Sequence, residues 1–171
     1  EAQEIMHAAL GPWDDKTLRA SRLVAAAQLA LGRLDEAERT LHQVLAIGQE
    51  QAARIPREAL LTLEQLVELA DCRDQRAEAL RLREEQYAVY CRRPEFGPGH
   101  ADSLGAGENL GLRYEAAGCF DKALEMDERL AEGYARLEGP EGPNVLNLQN
   151  AIVRVLWRMG RRRDAEARLA T

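Results

Sequence analysis

Lysine is nearly absent from this 171-residue chain: of 23 basic residues only Lys16 and Lys122 are lysine. Such a bias fits the codon usage of a GC-rich, bacterial genome rather than a device for binding phosphate. The net charge of −6 argues the same way, because a nucleic-acid backbone asks for a basic face. Aromatic residues make up only 5% against 46% hydrophobic in all, so the core must be built from Leu, Ala and Val. No run approaches the roughly 18 apolar residues of a membrane span, and none reads as a signal-peptide h-region. A cytoplasmic protein with neither a membrane nor a nucleic acid as partner is expected.

Catalytic and metal-binding patterns are equally scarce. Cys72, Cys91 and Cys119 are odd in number and lack C-x-x-C spacing, which predicts reduced, partly buried thiols. His7, His42 and His100 stand far apart and no H-E-x-x-H joins them, so no metal site is expected. Gly97-Pro98-Gly99 and Gly105-Ala106-Gly107 lack the Lys-Ser/Thr of a phosphate loop and follow no strand. Carboxylate pairs such as Glu84-Glu85 read as solvated faces. The chain is expected to be no enzyme and to carry no cofactor.

What is present is a period. A leucine is followed fourteen residues later by a glycine or aspartate, and five residues after that by an alanine. The sets are Leu18, Gly32, Ala37; Leu60, Asp74, Ala79; Leu104, Gly118, Ala123; and Leu146, Gly160, Ala165. A fixed spacing near 42 residues marks units that cannot bury their apolar faces alone and must stack. Within the first unit, Thr17 to Leu31 has helical periodicity and Gly32 ends it in a left-handed conformation. Leu34-Asp35-Glu36-Ala37 opens a second helix with carboxylates where the helix dipole favours them. The small alanine sits where two helices of one hairpin cross closely. Asp74 takes the glycine's place in the second unit, since aspartate tolerates the left-handed region better than most residues.

Proline and glycine clusters separate the units: Gly11-Pro12, Ile55-Pro56, Gly97-Pro98-Gly99 and Gly139 to Pro143. No stretch alternates long enough to form a strand. The fold is expected to be all-α, one array over residues 1–171. Repeats should span about 13–53, 56–94, 100–138 and 143–171, and 1–10 should close a preceding repeat. With no obvious polar cap at either end, further repeats in a parent protein or self-association is expected.

Phe96 to Leu104, Glu108-Asn109-Leu110-Gly111 and Leu31-Gly32-Arg33-Leu34-Asp35-Glu36-Ala37 resemble the linker, first helix and hairpin turn of tetratricopeptide repeats. The resemblance is to the 42-residue kind of kinesin light chains and many bacterial multidomain proteins, and it covers almost the whole chain. It implies a right-handed superhelical solenoid of antiparallel helix pairs, a scaffold whose first helices line a concave groove. The groove positions so implied are Arg22, Leu23, Ala26, Leu29 and Ala30; Glu64, Gln65, Glu68, Asp71 and Cys72; Glu108, Asn109, Leu112, Glu115 and Ala116; and Asn150, Ala151, Arg154, Trp157 and Arg158.

That groove would be acidic in its middle and basic, with a tryptophan, toward its C-terminal end. Asn109 and Asn150 stand where the family's groove asparagines pair with an extended peptide backbone, although Asn147 and Asn150 could equally solvate their helix. Trp157 fits either the groove or the interior. The lysine-and-asparagine carboxylate clamp of chaperone-binding members has no counterpart here. The expected function is a protein-interaction module binding a peptide or partner domain, with Glu64, Glu68, Asp71, Glu108 and Glu115 favouring a basic stretch and Arg154 and Arg158 opposing them. The alternative is an intramolecular sensor or assembly arm of a larger bacterial regulatory protein.

Overall fold

A computed structural model of the chain describes residues 10–11, 14–50, 56–92 and 97–169, with side chains from 48–50 and 56 left aside. The described residues contain helices and no strand. They form eight helices: α1 Asp15–Ala30, α2 Leu34–Glu50, α3 Pro56–Cys72, α4 Arg76–Arg92, α5 Ala101–Ala116, α6 Phe120–Glu138, α7 Pro143–Arg158 and α8 Arg162–Leu169. The chain divides into two compact units, one running up to Gln86 and one beginning at Tyr87. Residues 1–9 of the expected opening segment and the turn at Ile55 lie outside the described residues.

The four hairpin turns share one hydrogen-bond pattern, and it explains the period. In the first, Gly32 N donates to Leu29 O at 3.0 Å and Arg33 N to Gln28 O at 2.9 Å, the paired bonds that satisfy a helix's last carbonyls. The same two bonds recur at Asp74 and Gln75, at Gly118 and Cys119, and at Gly160 and Arg161. The pattern requires a left-handed residue: φ is +71° at Gly32, +75° at Gly118 and +76° at Gly160. Asp74, at +54°, is the non-glycine among the described residues with positive φ. Each following alanine donates the first backbone bond of the next helix and is packed against its neighbours, with Ala37, Ala123 and Ala165 at 0% exposure and Ala79 at 3%.

In the first unit α1, α2 and α3 pack together, and Leu18, Val44 and the half-buried Ile47 share one cluster. Leu41, Leu63 and Leu66 are fully enclosed. In the second unit α6 packs on both α5 and α7, α8 packs on α7, and Ile152, Leu156 and Ala165 form a cluster with Leu124 and Val153 beside it. At about 1.5–3 kcal/mol per enclosed large aliphatic side chain, this burial outweighs helix propensity as the reason the helices persist.

The leucine of the repeat follows the same plan three times and departs once. Leu18, Leu60 and Leu104 are buried, whereas Leu146 is 52% exposed. Leu104 lies against Gly133 in the second half of the 19-residue α6.

Candidate functional site

The residues expected to line a groove fall, in the structure, into two cavities and a set of structural contacts. In the first unit, Glu64, Val67, Glu68, Asp71 and Cys72 of α3 and Arg83 of α4 line an open cavity of about 510 Å³. Their spacing of three and four residues places them on one helical face. Arg83 is half-buried among these acids; its Nη1 donates to Gln86 Oε1 at 2.9 Å and its Nε is buried without a partner. Arg22 does not open onto this cavity. Its Nε donates to Glu58 Oε2 at 3.0 Å, and Gln65 Nε2 donates to the Arg22 carbonyl at 3.3 Å, so these two residues tie α1 to α3.

In the second unit, three helices converge on a smaller cavity of about 240 Å³. Helix α5 contributes Glu108, Gly111, Leu112 and Glu115, α6 contributes Asp127, and α7 contributes Asn144, Asn147, Leu148, Ala151 and Arg154. Expected opposition between acidic and basic groove residues becomes direct pairing here. Arg154 grips Glu115 at 3.0 Å (Nε to Oε1) and 2.8 Å (Nη2 to Oε2), and Arg158 Nη1 adds a bond to Oε1 at 3.3 Å. The Arg154 hydrogen bond, then the nearby guanidinium charges, hold the Glu115 carboxyl below the usual range despite its burial. Glu108 accepts the Tyr134 hydroxyl; burial, aided by that bond, pushes the Tyr134 phenol up to about 12.

Asp127 is the residue that reading the first helices alone misses, because it sits on a second helix. It is 6% exposed, and no described residue donates a hydrogen bond to it. Burial pushes its carboxyl up to about 6, with the Glu115 charge adding and Arg154 opposing. Gly111 makes room for it: a Cβ there would lie 2.9 Å from Asp127 Oδ1. The signal was available as a comparison of repeats, since the residue nine places after each turn is Leu41, Arg83, Asp127 and Leu169.

The asparagines divide between the open surface and the second cavity. Asn109 and Asn150 are exposed and line neither cavity, and Asn109 Nδ2 donates to Gly105 O of its own helix at 3.2 Å. Asn144 and Asn147 line the second cavity instead. The Asn144 amide is anchored by Glu138, whose Oε1 also accepts the backbone N–H groups of Asn144 at 2.8 Å and Val145 at 3.2 Å and so caps α7. Trp157 is 45% exposed with the Arg162 guanidinium 5.6 Å from its ring, which places it on the surface rather than in the interior. Arg158 stands 5.0 Å from the Phe120 ring. Among the described residues no His, Cys, Asp and Glu group is arranged to hold a metal ion.

Comparison with known proteins agrees with this architecture. The family model for the tetratricopeptide repeat matches residues 101–171. No curated protein matches the sequence significantly. Among solved structures, the nearly identical TPR-like repeats of a Podosopora anserina chain assigned as a kinesin light chain align over 98% of this chain and 79% of theirs, at 25% identity and a TM-score of 0.72. A point-substituted form of the same repeats gives a TM-score of 0.69 at 25% identity, over 98% of this chain and 78% of that one. BtubC (BKLC) from P. vanneervenii shares the fold at 15% identity, with a TM-score of 0.62 over 98% of this chain and 66% of its own. The recurring turn, the alanine crossings and these matches together show tetratricopeptide repeats over residues 101–171 and, for the whole chain, the fold of kinesin-light-chain-like TPR arrays.

Proposed function

We propose that the chain is a protein-interaction module that seats a peptide or partner domain against its first helices, and that this partner carries a basic stretch. The cavity between α5, α6 and α7 carries the reading. It is concave, has carboxylates in its walls and amides among its lining residues, and is flanked by the 58% exposed Leu112, a combination suited to a side chain presented by another protein. Asn109 and Asn150, being exposed, remain able to pair with an extended backbone, and Trp157 and Arg158 extend the surface along α7. Arg22 and Gln65 support the wall and make no contact with the partner. The module carries no reaction of its own. Its three cysteines are unpaired, which suits the reducing cytoplasm, and no described helix is long and apolar enough to cross a membrane.

Basic, neutral and acidic peptide pools, screened by fluorescence anisotropy, test this reading. Basic peptides should bind best, bind more weakly as salt screens the cavity, and lose affinity in a Glu68→Gln, Glu108→Gln double variant. If no pool binds at any ionic strength, or the double variant binds basic peptides unchanged, the groove reading fails and an arm acting on its own parent chain becomes the better account.

A further inference from the structure

We propose that the cavity of the third repeat is a subsite for one basic side chain of the partner, lysine or arginine, whose charged end pairs with Asp127. The inference rests on the interaction-module reading and narrows it to a single contact. Two observations carry it. The first is the unmatched carboxylate: Asp127 is 94% buried by its 6% exposure, lines the cavity, and accepts no hydrogen bond from a described residue. A carboxylate enclosed in this way is costly unless a donor or cation completes it.

The second observation is the charge around it. Glu115 is already saturated by Arg154 and Arg158, and Glu108 accepts the Tyr134 hydroxyl. Three carboxylates against two guanidiniums leave one negative charge uncompensated, which is the complement of one cation. The walls decide which kind. Leu112, Leu148 and Ala151 line the same cavity as the carboxylates, so an entering group meets apolar surface along its length and charge at its end. Lysine and arginine have this form, with an aliphatic stem and a polar tip. A bare divalent ion would gain nothing from those walls, and it would find no set of three ligands among the described residues.

The test uses the whole chain and Nα-acetyl-lysine N′-methylamide as probe, followed in amide spectra, with the arginine derivative, the norleucine derivative, magnesium chloride and calcium chloride as separate arms. The lysine or the arginine derivative should shift the Gly111, Asp127 and Asn147 amides to saturation, and the norleucine derivative should not. Asp127→Asn should weaken binding at least ten-fold while its thermal transition shows it folded. In wild type, a carbon-13 titration of the Asp127 carboxyl should move toward the ordinary aspartate range at saturating probe, a readout that needs no variant.

Equal binding by Asp127→Asn, an equal response to norleucine, a response to the divalent salts alone, or an unmoved carboxyl titration would overturn the proposal. The two readings separate cleanly. Peptides that bind without losing affinity when their basic residues are replaced would keep the interaction module and remove the subsite. A saturable lysine response with no peptide binding would do the reverse.

Discussion

The second and third repeats present the same first-helix face with opposite charge at its centre. Glu64, Val67, Glu68 and Asp71 of α3 correspond, 44 residues on, to Glu108, Gly111, Leu112 and Glu115 of α5. Nine residues after each turn comes Arg83 in one repeat and Asp127 in the other. In the second repeat a cation, Arg83, lines the cavity together with Glu64, Glu68 and Asp71. In the third the central residue is itself acidic, and the guanidiniums that answer it come from α7 and are taken up by Glu115. One position on a shared backbone thus places a guanidinium in one cavity and a carboxylate in the other. The first repeat has Leu41 at this position, fully buried, and needs no balance at all.

The largest expected effect breaks what the two repeats share. Ala123 is wholly buried where α5 and α6 pack, and Ala79, 3% exposed, holds the same position after the second repeat's turn. Ala123→Leu should overpack that crossing at a cost of about 1–3 kcal/mol, and Ala79→Leu should cost a similar amount. A denaturant midpoint unchanged in either variant would mean that the repeats do not share the crossing.

Asp127→Asn sharpens the difference. Its carboxyl is raised to about 6 from an ordinary 3.8, so between these values the native state holds more protons than the unfolded one, and stability falls as pH rises from about 4 to about 6. Removing the charge should leave stability near pH 4 unchanged and raise it above pH 6 by about 2 kcal/mol. Glu108 and Glu115 from α5 oppose this ionisation, Glu108 weakly, and Arg154 from α7 favours it. Glu115 contributes with the opposite sign: its lowered carboxyl stabilises the fold above the ordinary range and loses that contribution in stronger acid. Melting temperatures of both proteins from pH 3 to 8 check this, and parallel curves through pH 4 to 6 would show that Asp127 is not the buried acid.

Arg83→Leu asks whether the second repeat needs its internal cation. The substitution installs the first repeat's residue and removes a guanidinium nitrogen buried without a partner, a gain of about 1 kcal/mol or less once the acids around it lose their balance. It should also make the α3 face more attractive to basic peptides. Unchanged affinity for basic peptides would mean that Arg83 does not neutralise that face.

The parts of the molecule legible in the sequence are those in which backbone geometry demands a residue type. A left-handed turn asks for glycine or aspartate, and a close crossing asks for alanine, so spacing alone located Gly32, Asp74, Gly118 and Gly160 and the alanines after them. The site was less legible because its chemistry depends on reach between helices. Nothing local signals that Arg154 will span to Glu115 of α5, 39 residues away, or that Arg22 will turn to Glu58 of α3. Asp127 escaped for a different reason. Attention to the first helices passes over a second-helix residue, and only its misfit with Leu41 and Leu169 marks it. Leu146 shows the reverse limit: it keeps the repeat's spacing and is nonetheless 52% exposed.

The smallest effect concerns the turn itself, where the second repeat has aspartate and the third has glycine. Asp74 adopts φ +54° and makes the same two backbone bonds as Gly118, so the turn's hydrogen bonding survives the substitution. What differs is the strain of a Cβ in the left-handed region, set against whatever the side chain gains. That gain is slight: Asp74 Oδ1 accepts Arg76 Nε at 3.0 Å, but the two side chains are 80% and 85% exposed, and solvent-exposed pairs of this kind contribute little. Asp74→Gly should therefore be neutral to stabilising by roughly 0.5–1 kcal/mol, the glycine's greater unfolded-state entropy limiting the gain. Gly118→Asp should mirror it with a loss of similar size. A clearly lowered melting temperature for Asp74→Gly would mean that the aspartate holds the second turn by more than its backbone, and that the two repeats turn for different reasons.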